Sequence, residues 1–102
     1  MTNDDLILLK LSIQQALLAE VTERLVSITC GLSERNIRIR AYVSGDVTEA
    51  DIERIQFVGT EVIADFPEGY MIEESCLSVR EHDEEMLDFW AFRRASEPPK
   101  PG

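Results

Sequence analysis

The sequence predicts a single α+β domain, with a four-stranded, mostly antiparallel sheet and two helices on one face of it. The chain has 102 residues, the size of one domain, and 44% of them are hydrophobic, enough for a small core. Apolar residues recur at helical spacing in two segments and alternate with polar residues in others. The resulting order is α-β-β-α-β-β, and two helices on one side of the sheet would bury its apolar face.

The first helix is predicted over residues 4–19. Leu6, Ile13 and Leu17 lie on one side of it at helical spacing. Asn3 and the acidic residues that follow it suit a helix start, because they cap free backbone N–H groups and complement the helix dipole.

A hairpin is predicted next, from two alternating runs over residues 25–32 and 37–44 that are joined by a polar turn at 33–36. The inward side of the first run carries Val26, Ile28, Cys30 and Leu32. The outward side of the second run carries Arg38, Arg40 and Tyr42. With both helices on one face, these outward residues are expected on an open sheet face, where the arginines would pair across strands with Glu73 or Glu74.

The second helix is predicted over residues 48–66, between a Gly45-Asp46 break and a Pro67-Glu68-Gly69 stop. Thr48 is a hydroxyl cap with carboxylates in the turn that follows, which is typical of a helix start. The side expected to face the core carries Ile52, Ile55, Gly59, Val62, Ile63 and Phe66.

The remaining chain predicts a second hairpin, with strands over residues 70–80 and 89–94 joined by a solvated acidic loop at 81–88. Residues 95–102 contain three prolines and are expected to form a disordered tail. The predicted domain therefore covers residues 1–94.

The charge is strongly negative and uneven. The formal net charge is −10, and residues 46–88 alone carry fourteen acidic residues against two arginines. Such a chain is not expected to bind nucleic acid or anionic lipid, both of which require a surplus of basic residues. Two interpretations stay open for the acidic stretch: a solvated face that maintains solubility, or a docking face for a basic protein.

Phe57 favours the docking interpretation. Its side chain is predicted to point away from the core, with Glu53 and Glu61 four residues on either side. Like charges at this spacing repel mildly, whereas an exposed aromatic ring is a typical interface anchor. The candidate partner-binding residues are Glu49, Glu53, Phe57, Glu61, Glu81, Asp83, Glu84 and Glu85.

No catalytic, metal or cofactor site is predicted. Cys30 and Cys76 are far apart and are expected to be free thiols, and His82 lies in a polar run typical of a surface loop. Glycine-rich phosphate loops and metal-binding spacings are missing from the sequence. Because no catalytic motif is present, the protein is not expected to be an enzyme. The sequence also has no apolar run long enough to span a membrane and no cationic signal-peptide start, so a cytoplasmic location is expected.

Five stretches carry a resemblance: ALLAEVT (16–22), IRIRAY (37–42), GDVTEAD (45–51), TEVIADFP (60–67) and FWAFRR (89–94). They resemble a family of small acidic bacterial proteins similar to the immunity proteins of contact-dependent growth inhibition systems. The resemblance implies a cytoplasmic antidote to a toxin domain that a neighbouring cell delivers. Such toxins are often nucleases with basic clefts. It assigns no role to an individual residue.

The leading hypothesis is therefore an immunity protein that binds a basic toxin domain, such as a nuclease, through its acidic surface. The alternative is a self-associating structural or interaction protein with no enzymatic activity, whose sheet pairs edges or stacks faces in a symmetric dimer. The sequence leaves both a monomer and a homodimer open.

Overall fold

The computed structural model describes residues 3–94, and they follow the predicted order of elements. The elements are α1 (Asn3–Leu17), β1 (Leu25–Ser33), β2 (Asn36–Val43), α2 (Glu49–Ala64), β3 (Met71–Ser78) and β4 (Phe89–Arg93). The α+β class, the mostly antiparallel sheet and the two helices are confirmed. The predicted tail at residues 95–102 lies outside the described residues.

The strands form one sheet in the order β3-β2-β1-β4. The hairpin of β1 and β2 is confirmed, with Ser33 paired to Asn36 across a two-residue turn. Glu34 in this turn has φ 56, in the left-handed region. An antiparallel hairpin can be closed by so short a turn when a central residue has positive φ.

The predicted second hairpin is wrong. β3 pairs with β2 in parallel, whereas β4 pairs with β1 antiparallel, so the last two strands lie at opposite edges of the sheet. The physical reason is α2, which joins β2 to β3. A connection that contains a helix brings the chain back to start a parallel strand, whereas a hairpin needs only a short turn.

The hydrophobic core lies between the helices and one face of the sheet. Its buried members include Leu9, Ile13 and Leu17 of α1, Ile28, Cys30, Ile37, Ile39 and Ala41 of the central strands, and Ile55, Val58 and Val62 of α2. Ile52, which was predicted to face this core, is 41% exposed, because it lies at the margin of the buried stripe of α2.

The opposite face of the sheet is covered, and the prediction of an open face is wrong there. The chain leaves β3 at one edge and reaches β4 at the other, and residues 81–88, here called the crossing segment, lie across β1 and β2 between them. Ser27 and Tyr42, which are register partners, are 0% and 1% exposed as a result.

Hydrogen bonds hold the crossing segment on the sheet. The Ser27 hydroxyl donates to Glu84 Oε1 at 2.7 Å, and the backbone N–H of Glu85 donates to the Tyr42 hydroxyl at 3.0 Å. The backbone N–H of Leu87 donates to the hydroxyl of buried Thr29 at 2.8 Å. Residues 81–88 were expected to form a solvated loop, but part of this segment packs on the polar side of β1 and β2 and covers it.

Candidate functional site

The outward face of α2 is set by the way the helix begins. The backbone N–H of Asp51 donates to Thr48 Oγ1 at 3.2 Å, and the backbone N–H of Thr48 donates to Asp51 Oδ2 at 2.9 Å. This capping box confirms the predicted helix start. Because it fixes the first turn, it also fixes which side chains of α2 face outward.

Arg24 holds the same turn from outside the helix. Its Nη2 lies 2.9 Å from Asp51 Oδ2, and its Nε donates to Asp51 Oδ1 at 3.1 Å. These hydrogen bonds from Arg24 lower the pKa of Asp51, although burial of the carboxyl opposes them. The pair ties the start of α2 to the connection that leads into β1.

Four side chains of α2 form an exposed row, here called the α2 row: Glu49, Glu53, Phe57 and Glu61. They follow one another every four residues, which is about 6 Å along a helix axis. The predicted outward orientation of Phe57 is confirmed, because its side chain is 52% exposed. Within residues 3–94, none of the three carboxylates in the row forms an ion pair or a hydrogen bond.

A groove runs between α1 and α2 beside this row. Buried Ser12 lies at its base, and its hydroxyl donates to Asp65 Oδ2 at 2.6 Å, which links the two helices. Phe57 lines the groove from α2, and Ala16 and Leu18 line it from the α1 side. The ring of Phe57 therefore lies at the border between an acidic row and a depression with apolar walls.

The other predicted acidic residues lie elsewhere. Glu81, Asp83 and Glu85 are exposed on the crossing segment, on the sheet face opposite the helices. Glu84 is half-buried and accepts the Ser27 hydrogen bond. The structure therefore does not bring these four residues together with the α2 row. Their role in binding, like that of the row, stays a prediction.

Arg38 and Arg40 project from the crossing-segment side of β2. Arg38 is the register partner of Glu73, yet neither arginine forms an ion pair within residues 3–94. The expected pairing with Glu74 is wrong, because that side chain lies on the helix side. There it crosses Gly59 of α2, where an added Cβ would collide with it.

The described residues offer no reactive or metal-binding group. Cys30 and Cys76 are free thiols on β1 and β3, with β2 between them. Burial raises the pKa of Cys30 to about 12 and that of Cys76 to about 11, so both thiols are protonated at neutral pH. His82 is exposed. Residues 3–94 contain no cluster of three or more metal-ligating side chains, and neither α1 nor α2 could cross a membrane.

The sequence interpretation missed the outer surface of α1. Ile7 and Leu11 are exposed there, as is Leu18 directly after the helix, although the prediction considered only the buried stripe. The available signal was composition, since residues 6–18 are apolar on nearly every side. A helix that is apolar all round is expected to contact something on both faces.

Comparison with known families gives a match over most of the chain. The family model described as MafI2 immunity protein matches residues 7–96, which include most of α1, all of α2 and all four strands. No curated protein sequence matches the chain.

Proposed function

The chain belongs to the MafI2 immunity protein family, and from that premise we propose that it neutralises a MafB toxin by binding it through the α2 row. Family membership confirms two predictions made from the sequence, an immunity protein and a chain that is not an enzyme. The proposal has two finer parts, that the toxin is a nuclease and that cell contact delivers it. Both are supported by the resemblance of the five stretches.

The choice of this surface rests on one observation: three exposed carboxylates without partners lie in one row with a half-exposed aromatic ring. Nothing within residues 3–94 neutralises Glu53 or Glu61, so their field extends into solvent. Such a field steers a basic partner and orients it before contact. The ring of Phe57 would contribute binding energy in addition to this steering, because aromatic side chains in the desolvated centre of an interface provide much of its binding energy.

A nuclease cleft binds phosphates with lysine and arginine side chains. In the proposed complex, Glu49, Glu53 and Glu61 pair with such residues in place of phosphate, and Phe57 is buried among them. The toxin is then blocked either because its cleft is covered or because its basic residues are already paired. The immunity protein needs no chemistry of its own for this.

The α2 row is preferred over the crossing segment for two reasons. The crossing segment uses Glu84 and Asp88 to bind the sheet, since Asp88 Oδ2 accepts from the backbone N–H of Leu32 at 2.7 Å. It also has no aromatic residue, whereas the α2 row has Phe57 beside a groove. Its remaining exposed carboxylates therefore provide a matched control.

The test compares two double charge reversals, each of which changes the formal net charge from −10 to −6. Glu53→Lys with Glu61→Lys alters the α2 row, and Glu81→Lys with Asp83→Lys alters the crossing segment. Association with the toxin domain of a MafB protein from the same strain is measured by surface plasmon resonance at about 0.05 and 0.3 M salt. The α2 variant should associate about tenfold or more slowly at low salt, and its salt dependence should flatten.

The control variant should associate within about twofold of the wild type, because its charges lie on the other face of the sheet. Equal slowing of both variants would show that only net charge matters. A slower rate in the control alone would move the docking site to the crossing segment. Either result contradicts the proposed surface.

A further inference from the structure

The outer surface of α1 carries a second line of apolar side chains. Ile7 and Leu11 of α1, and Leu18 directly after its end, are 54%, 64% and 85% exposed, and their spacing of four and seven residues places them on one side of the helix axis. The buried stripe of α1 lies on its other side and already fills the core. The exposed line is therefore not explained by packing within residues 3–94.

Two residues of this line, Leu11 and Leu18, belong to one wall of the groove between the helices. A second depression, lined by Leu8 and Leu11, shares Ser12, Gln15 and Asp65 with the groove at Phe57 and Leu18. The two depressions are therefore continuous along α1. Leu8 and Leu18, near the two ends of the groove, are ten residues apart, which is about 15 Å along a helix axis, so the groove has room for about three turns of a second helix.

The two walls differ in chemistry. The α1 wall presents mainly aliphatic and uncharged groups, such as Leu11, Gln15 and Leu18. Its one acidic residue, Glu20 at the end of the wall, is already paired with Arg54. The α2 wall presents Phe57, Glu61 and Asp65. A complementary occupant would carry apolar side chains toward α1 and basic side chains toward α2. An amphipathic helix with a basic flank has this arrangement, and grooves between helices commonly accept such a helix.

We propose that this groove receives an amphipathic helix of the toxin domain, with apolar residues against Leu11, Leu18 and Phe57 and lysine or arginine beside Glu61. The inference rests on the proposed function, and it assigns the apolar half of the binding site to α1. A second copy of this chain is a poorer occupant. With a net charge of −10 on each copy, the acidic walls would repel one another.

The first experiment removes the apolar wall without disturbing the core. Leu11→Ser with Leu18→Ser is compared with Met71→Ser with Met86→Ser, two apolar residues that are also more than half exposed and lie away from the groove. Binding to the same MafB toxin domain is measured by surface plasmon resonance. The leucine variant should dissociate about tenfold faster or more at an unchanged association rate, since lost apolar anchors act on dissociation. The methionine variant should match the wild type.

The outcomes separate this inference from the proposed function. Slower association of the Glu53→Lys, Glu61→Lys variant together with an unchanged leucine variant would overturn the groove and leave the α2 row standing. Faster dissociation of the leucine variant together with an unchanged glutamate variant would keep the apolar contact on the α1 side and overturn both the α2 row and the basic flank beside Glu61. Wild-type protein that sediments as a dimer, and a leucine variant that sediments as a monomer, would make the groove a self-association surface and overturn the inference.

A second measurement needs no substitution. The backbone amide signals of Ser12 and Ala16 report on the base of the groove, because both residues line it. In a two-dimensional NMR titration of labelled immunity protein with the toxin domain, these signals should change most, together with that of Phe57. The largest changes over residues 81–88 or β3 would place the toxin on another surface and overturn the inference.

Discussion

The α2 row and the crossing segment are both rich in acidic residues, yet their carboxylates differ in what they contact. In α2, Glu53 and Glu61 have no partner within residues 3–94. In the crossing segment, Glu84 accepts from the Ser27 hydroxyl and Asp88 accepts from the backbone N–H of Leu32. A helix satisfies its own backbone, which leaves its side chains free for a partner. A segment without regular structure needs partners from elsewhere in the chain.

The comparison shows why charge density alone does not locate a binding surface. Residues 46–88 form one continuous acidic stretch in the sequence. In the fold, α2 lies on one face of the sheet and the crossing segment lies on the other, so the stretch is divided between the two faces. Some of its carboxylates stabilise the fold, and others are available to a partner. The two kinds of carboxylate should therefore differ in how much they contribute to stability.

The largest expected effect comes from an inward carboxylate of α2 itself. Asp51→Ala removes the capping-box acceptor and leaves the Arg24 guanidinium without its carboxylate. It should lower the free energy of unfolding by about 2–3 kcal/mol, the sum of a lost cap and lost charge-assisted hydrogen bonds. Urea denaturation measures the loss. Glu53→Ala, two residues further along and facing outward, should change stability by less than about 0.5 kcal/mol. Equal losses would refute the division into inward and outward acids.

Lowering the pH should remove the stabilisation that the Asp51 carboxylate provides. Because Arg24 lowers the pKa of Asp51 in the folded state, its stabilising effect is complete above the ordinary pKa near 4 and is lost as the pH falls through the folded-state value. The stability difference between the wild type and Asp51→Asn should therefore shrink as the pH falls from about 6 to 3. Thermal unfolding at several pH values measures it. A difference that stays constant over this range would show that the charge of Asp51 contributes nothing.

Local signals allowed much of α2 to be predicted from the sequence. Thr48 and Asp51 have capping spacing, and the helical period places Phe57 outside the buried stripe, so both features depend on residues within a few turns. The parallel pairing of β3 was missed although its signal was present, since a helix of 16 residues separates it from β2. Such a crossover favours parallel strands.

The position of the crossing segment could not be predicted in the same way. Its contacts join residues 57 and 58 positions apart in the chain, such as Ser27 with Glu84 and Thr29 with Leu87. The segment has no periodic pattern of its own. The one usable signal lies in β1, whose second face carries only Ser27, Thr29 and Gly31. Small residues on a strand face permit close approach of another part of the chain, but they do not identify that part.

A smaller effect is expected where the crossing segment meets β2. Tyr42→Phe removes the hydroxyl that accepts from the backbone N–H of Glu85 at 3.0 Å, and it should lower stability by about 1 kcal/mol. Hydrogen exchange at the Glu85 amide should also become faster. Glu85→Ala is the matched control, because only the backbone of Glu85 contacts Tyr42. If Glu85→Ala were as destabilising as Tyr42→Phe, the side chain rather than the backbone would hold the segment.

The smallest effect on stability should accompany a large effect on binding. Glu53→Lys places a lysine four residues after Glu49, which replaces a repulsive pair with a favourable one on the surface of α2. Stability should rise by about 0.4–1 kcal/mol, because like charges at this spacing destabilise a helix and opposite charges stabilise it. Binding of the toxin domain should weaken in the same variant. Urea denaturation and surface plasmon resonance measure the two effects on one protein preparation.

This opposition distinguishes a binding surface from a solvated one. If Glu53 served only solubility, a substitution that stabilises the helix would leave toxin binding unchanged. Glu81→Lys is the control, since residue 81 lies outside any helix, where a spacing of four residues does not place two side chains side by side; it should alter neither property. A Glu53→Lys variant that is more stable and binds the toxin normally would show that the α2 row has no part in docking. A Glu53→Lys variant that is more stable and binds the toxin weakly would show that Glu53 destabilises the helix but is needed for binding the partner.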